Sequence, residues 1–166
     1  MTPKPFARAL AVALFSFLVL AGPAPALHAQ AIDGDPQVVE GPTSPLSITT
    51  KTGVYPFEVE VAATPDARAL GLMYRRSLDP DRGMLFDMGG VGEANFWMEN
   101  TYVSLDIAFV GADGRVVSVA TDTIPRSRAL IPSGGPVRWV LELKAGTARR
   151  IALAPGDRIA HDLLPR

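Results

Sequence analysis

Four of the chain's five methionines, Met73, Met84, Met88 and Met98, fall between positions 73 and 98, and Trp97 adjoins the last of them. A thioether is a soft donor, and among biological metals it prefers Cu(I). Met73, Met84 and Met98 are therefore candidate metal ligands, with Trp97 as an aromatic cap. A core would use the same residues, because Met fills irregular gaps and packs against rings. In a strand, Trp97 and Met98 point to opposite faces, which favours packing. The chain has no Cys, so disulfides, thiolate catalysis and Cys-ligated metals are excluded.

A second constellation suits a polar organic ligand. The block Asn95-Phe96-Trp97-Met98-Glu99-Asn100-Thr101 sets aromatics among amide, acid and hydroxyl groups. Binding clefts have this composition, an apolar platform with a few directed donors and acceptors. Trp97 would supply the face, and Arg75, Asn100 and Asp106 the polar contacts. The structural alternative has Asn100-Thr101 turning the chain and Asp106 accepting backbone donors or pairing with Arg75.

Catalysis has weaker material. Beyond the first thirty residues there is one His, His161, five residues from the C-terminus. A hydrolytic triad needs nucleophile, base and orienting acid in contact, and a lone terminal His is a poor base. Glu58, Glu60, Asp106 and Glu142 could form a glycosidase pair, yet Glu58 and Glu60 read better as the wet face of a strand. Gly89-Gly90-Val91-Gly92 lacks the Lys of a phosphate loop. Asp33-Gly34-Asp35 and Asp79-Pro80-Asp81 are too sparse for a calcium loop. No cofactor is implied and no catalytic residue is assigned.

These residues need elements to hold them. The chain has 166 residues, 48% of them apolar and 20% charged, as in ordinary globular proteins. Fifteen Gly and fifteen Pro disfavour a helix bundle and suit short strands joined by turns. Residues 1–31 read as a secretory signal peptide: Lys4 and Arg8, an uncharged run from Ala9 to Ala21, then Ala29-Gln30-Ala31 as a small-x-small site. A helix of that run spans about 20 Å, short of a hydrocarbon core of about 30 Å. The expectation is a periplasmic or secreted protein with no transmembrane anchor after cleavage and, lacking a Cys, no lipid anchor. Without Lys4 and Arg8 the 16 basic residues fall to 14 against 17 acidic ones, a net charge of −3. That balance gives no footprint for nucleic acid. Residues 32–45, rich in Pro and Gly, read as a flexible linker, and 46–164 as one domain.

Within that domain the two-residue period dominates. Phe57, Val59 and Val61 alternate with Glu58 and Glu60. Val137, Trp139, Leu141 and Leu143 alternate with Arg138, Val140 and Glu142. Asp106–Val110 and Arg115–Ala120 flank an Asp113-Gly114 turn, a hairpin signature. Met84–Met88 and Asn95–Met98 are further short strands. Thr64-Pro65-Asp66 starts a helix that carries Ala67, Leu70 and Met73/Tyr74 on one face. Thr147 is placed to cap a second helix over Ala148–Leu153. Pro125–Pro136, with Arg126 and Arg128, is a long irregular segment, either a lid or an ordered crossing.

The ordered blocks Leu70-Gly71-Leu72-Met73-Tyr74-Arg75, Gly83-Met84-Leu85-Phe86, Phe96-Trp97-Met98-Glu99-Asn100-Thr101, Leu105-Asp106-Ile107, Asp113-Gly114, Val140-Leu141-Glu142-Leu143 with Ala145-Gly146, and Pro155-Gly156-Asp157 resemble domain of unknown function family 192. Glu99 departs from that pattern, which usually has Lys there. The resemblance implies a β-sandwich of jelly-roll type and no established activity. The expected fold is mainly β, either that sandwich or a partly closed barrel, with two short helices. The first functional reading is an exported, non-catalytic binding or accessory module. A soft-metal or small polar ligand site around the Met/Trp cluster is the alternative, and an unrecognised hydrolase the third.

Overall fold

Alternation of apolar residues builds one large curled sheet in the computed structural model, which describes Met1 and residues 40–165. The segment read as a signal peptide and most of the linker lie outside the described residues. The elements are β1 (Thr43–Thr50), β2 (Gly53–Ala62), α1 (Pro65–Leu70), β3 (Arg82–Gly92), β4 (Asn95–Phe96), β5 (Leu105–Val110), β6 (Val116–Ala120), β7 (Ile131–Pro132), β8 (Val137–Lys144), α2 (Thr147–Ile151) and β9 (Arg158–Ala160). Seven strands form the sheet in the order β6-β5-β8-β3-β2-β1-β9, and β4 and β7 form a separate ribbon. The β2–β3 pair is parallel, so its connection must cross over the sheet, and α1 lies in that crossover.

The two sheet edges meet at one end. Arg115 and Arg158 form a bridge, Val116 N donates to Asp157 O at 2.9 Å, and Ile159 N donates to Gly114 O at 2.9 Å. Of the two expected architectures, the partly closed barrel is the one formed: nine short strands make a curled half-barrel and a ribbon, not two large facing sheets. Leu46, Phe57, Leu85, Val110, Leu141 and Ile159 meet inside it, and Ile151 of α2 packs with them. Each such fully buried side chain contributes about 1.5–3 kcal/mol relative to exposure.

A second core covers the outer face, where Met84, Phe86, Met98, Ile107, Phe109 and Val140 pack together. This corrects the expected wet face of β2 and β8. Glu58 is exposed, but Glu60 and Glu142 are buried, because the segments between strands fold back over this side of the sheet.

Several boundaries also shift. β1 begins at Thr43, so residues 43–45 belong to the sheet and not to a linker. Pro45 is tolerated because β9 pairs with Ser47–Thr49 only, leaving Pro45 beside β2 alone. The Met84–Met88 strand extends to Arg82–Gly92, and the Asn95–Met98 strand shrinks to Asn95–Phe96. The β5–β6 hairpin forms as expected, with Gly114 taking the positive φ of +77°. The 125–136 segment is an ordered crossing: Arg126 N donates to Thr101 O at 3.0 Å, and Ser133 N to Ala94 O at 2.8 Å.

Candidate functional site

The outer face carries a cleft of about 290 Å³, whose lining includes Leu70, Met73, Phe86, Phe96, Trp97 and Glu142. One wall comes from α1. Thr64 caps it, its Oγ1 accepting from Ala67 N at 3.2 Å, and Pro65 opens the first turn. Arg68 ties the helix to the sheet, with Nη1 donating to Ala63 O at 2.8 Å and Asp87 O at 2.9 Å. The expected helix over Met73 and Tyr74 stops at Leu70. Gly71 takes a φ of +49°, and a Cβ there would meet Phe86 Cζ at 3.2 Å. The backbone therefore lies directly on the ring.

The facing wall is the chain from β4 to Thr101. Phe96 packs edge-on against Phe86 at 5.1 Å and against Phe109 at 5.9 Å. Trp97 is 47% exposed at the rim. The two walls are joined at one point: Tyr74 N donates to Asn100 O at 2.8 Å, and Asn100 Nδ2 donates to Tyr74 OH at 3.1 Å. Both residues sit in the left-handed region, at φ +63° and +56°. Asn100 thus couples the walls.

Beneath the walls, one row of outward-facing residues crosses four strands. Glu60 on β2 pairs with Met84 on β3, Met84 with Glu142 on β8, and Glu142 with Ile107 on β5. Arg75 grips Glu60 with both Nη atoms, at 2.6 and 2.8 Å, and Gly41 N donates to Glu60 Oε2 at 2.8 Å. Burial pushes the Glu60 carboxyl up, but the Arg75 bonds, the Gly41 amide and the charges of Arg75 and Arg82 outweigh it, and the net direction is down. Glu142 has no such grip. Burial pushes its carboxyl up to about 8, against a smaller pull from Arg75. The cleft floor is thus a carboxyl that is largely protonated at neutral pH, with a residue exposure of 5%.

The structure separates the ligand candidates. Trp97 lines the cleft. Arg75 is buried beside it against Glu60 and lines an adjoining cavity with Ser44, Ala67 and Met84. Asp106 lies apart from the cleft. Its Oδ1 accepts from Asp122 N at 2.9 Å and its Oδ2 from Ala148 N at 2.7 Å. It caps α2 from a neighbouring strand, the task expected of Thr147, which is buried inside the helix instead.

The methionines separate too. Met73 and Met88 line the cleft, Met84 lines the adjoining cavity, and Met98 is buried with its sulfur accepting from Thr123 Oγ1 at 3.2 Å. The three candidate thioethers do not share one cavity. Among the described residues, no group of three or more His, Asp or Glu is arranged to hold a metal.

Ser44 Oγ and His161 Nε2 lie 2.8 Å apart, a pairing that a hydrolase would use. The imidazole is turned the wrong way for a base. Leu163 N donates to Nδ1 at 3.2 Å, so the ring proton sits on Nε2 and points at Ser44.

Sequence reasoning named Glu142 only as one of several carboxylates, and it passed over Met88 as a site residue. The available signal was an acid inside the apolar run Val140-Leu141-Glu142-Leu143.

Two solved structures resemble this chain. A candidate transcription regulator from Sinorhizobium meliloti 1021 is 41% identical, with a TM-score of 0.70, covering 74% of this chain and 97% of its own. A protein of unknown function from Novosphingobium aromaticivorans DSM 12444 is 38% identical, with a TM-score of 0.70, covering 72% of this chain and 85% of its own. No curated protein matches the chain. The family signature spans residues 47–161, and the cleft is built from its Leu70–Arg75, Met84–Phe86, Phe96–Thr101 and Val140–Leu143 blocks; the chain belongs to the DUF192 family, Uncharacterized ACR.

Proposed function

We infer that this chain is an exported binding module and that the Glu142-floored cleft takes a small ligand with an apolar body and one polar group. The observation that carries the reading is the combination of aromatic and thioether walls with a single buried carboxyl that, among the described residues, has no ion-pair partner of its own. Ligand sites have this make-up, and such an acid weakens a fold unless something else requires it. The tautomer of His161 and the capture of Glu60 by Arg75 favour binding over hydrolysis. The Sinorhizobium relative is described as a candidate regulator, but the slight acidic excess of this chain gives no net attraction for nucleic-acid phosphates.

The test is a fragment screen read by amide and indole NMR shifts. Binders should perturb Leu70–Met73 and Phe96–Trp97, and Trp97→Ala should weaken them. Fragments that bind elsewhere, or nowhere, overturn the reading. Export rests on the leader sequence. Terminal sequencing of the protein recovered from outside the cytoplasm should show cleavage after Ala29 or Ala31, whereas an intact Met1 terminus there overturns it.

A further inference from the structure

We propose that the ligand of this cleft is an organic cation, an ammonium group on an apolar body, with the Glu142 carboxyl as its counter-ion. The proposal rests on the binding reading above and narrows it to one charge class.

The charges around the floor carry the argument. From β2 comes Glu60, and from the segment after α1 comes Arg75; these two neutralise each other through paired bonds of 2.6 and 2.8 Å. From β3 and β5 come Met84 and Ile107, which bring no charge. From α1 comes Arg68, a half-buried part of the lining whose guanidinium is occupied by the carbonyls of Ala63 and Asp87. Among the described residues, no Lys, Arg or His forms an ion pair with Glu142, which Arg75 reaches only through its charge, and its ionised form gains most from a cation delivered to the floor.

The walls agree with that class. Phe86, Phe96 and Trp97 line the cleft, and ring faces attract cations while repelling anions. Met73 and Met88 add polarisable sulfur. A neutral acceptor would take one ordinary hydrogen bond from the protonated acid, roughly half the strength of a charge-assisted one. An anion would meet the carboxyl itself.

Phenethylammonium and its neutral isostere 2-phenylethanol are the probes, titrated into the labelled protein and followed at the Trp97 indole. The ammonium should bind at least about tenfold more tightly at pH 8, where about half of Glu142 is ionised. Its affinity should rise about tenfold from pH 6 to pH 7, tracking the ionised fraction, while that of the alcohol does not rise. Glu142→Gln should abolish the preference for the ammonium over the alcohol. Should that variant not fold, the pH profile of the wild type decides alone. Binding of both probes with equal affinity, or a flat ammonium profile, overturns the cation class and leaves the ligand site standing. Binding of neither probe overturns both.

Discussion

Arg75 closes on Glu60 with both ends of its fork, Nη1 on Oε1 at 2.6 Å and Nη2 on Oε2 at 2.8 Å, and both side chains are almost wholly buried. Removing one partner leaves the other charge stranded in a low dielectric. Arg75→Ala should therefore destabilise the fold by about 3–5 kcal/mol, read from urea unfolding. The double replacement Glu60→Leu/Arg75→Met should recover most of that loss, because no charge is left buried. The pair also sets an acid limit. The folded carboxyl of Glu60 titrates below its ordinary value of 4.5, so its contribution is present above that pH and is lost as pH falls through the lower folded value.

Glu142 has the opposite sign. Its folded carboxyl titrates near 8, against 4.5 for an ordinary Glu. Between those values the folded state holds one more proton than the unfolded chain, so stability falls as pH rises. The penalty is absent below pH 4.5, grows by about 1.4 kcal/mol per pH unit, and reaches on the order of 5 kcal/mol above pH 8. Unfolding curves of wild type and Glu142→Gln at pH 5, 7 and 8.5 should diverge in favour of the variant at that slope. Parallel curves would show that the acid is solvated.

Asp106 acts as a remote cap. Gly146 precedes α2 and has no side chain to satisfy the first turn, and Asp106 Oδ2 does so through Ala148 N. Asp106→Asn places an amide donor against one of two backbone donors. A cost of about 2 kcal/mol is expected, with fragment binding in the cleft unchanged. Lost fragment binding in a folded Asp106→Asn protein would return the residue to the ligand site.

His161 should be neutral with its proton on Nε2, as two-bond nitrogen–proton NMR spectra can show. Burial pushes its titration below the ordinary 6.5, against a smaller raising pull from Asp162. Its contribution to stability is present above pH 6.5 and is lost as pH falls through the lower folded value. A proton found on Nδ1 would restore Ser44–His161 as a hydrolytic pair.

Local signals were legible where they rest on nearest neighbours. The Thr64-Pro65-Asp66 helix start and the Asp113-Gly114 hairpin both form, since a cap and a tight turn depend on residues within one turn of each other. The burial of Glu60 is not legible locally, because alternation reports which residues share a face and is silent on what covers it. The end of the helix before Tyr74 is not legible locally, because Gly71 lies against Phe86, fifteen positions away in sequence. The cap of α2 is equally hidden, because Asp106 is forty-two residues from Ala148 and reaches it only across the sheet.

Length, composition and the order of its motifs by themselves determined that this chain is a mainly β, Cys-free member of its family. Those properties depend on residue identity and short spacing. Tertiary structure alone decided that the sheet curls until β6 and β9 touch, that Asp106 serves a helix, and that Glu142 floors a cleft. Each of these depends on segments far apart in the chain burying one another, and a carboxyl takes its charge state from that burial.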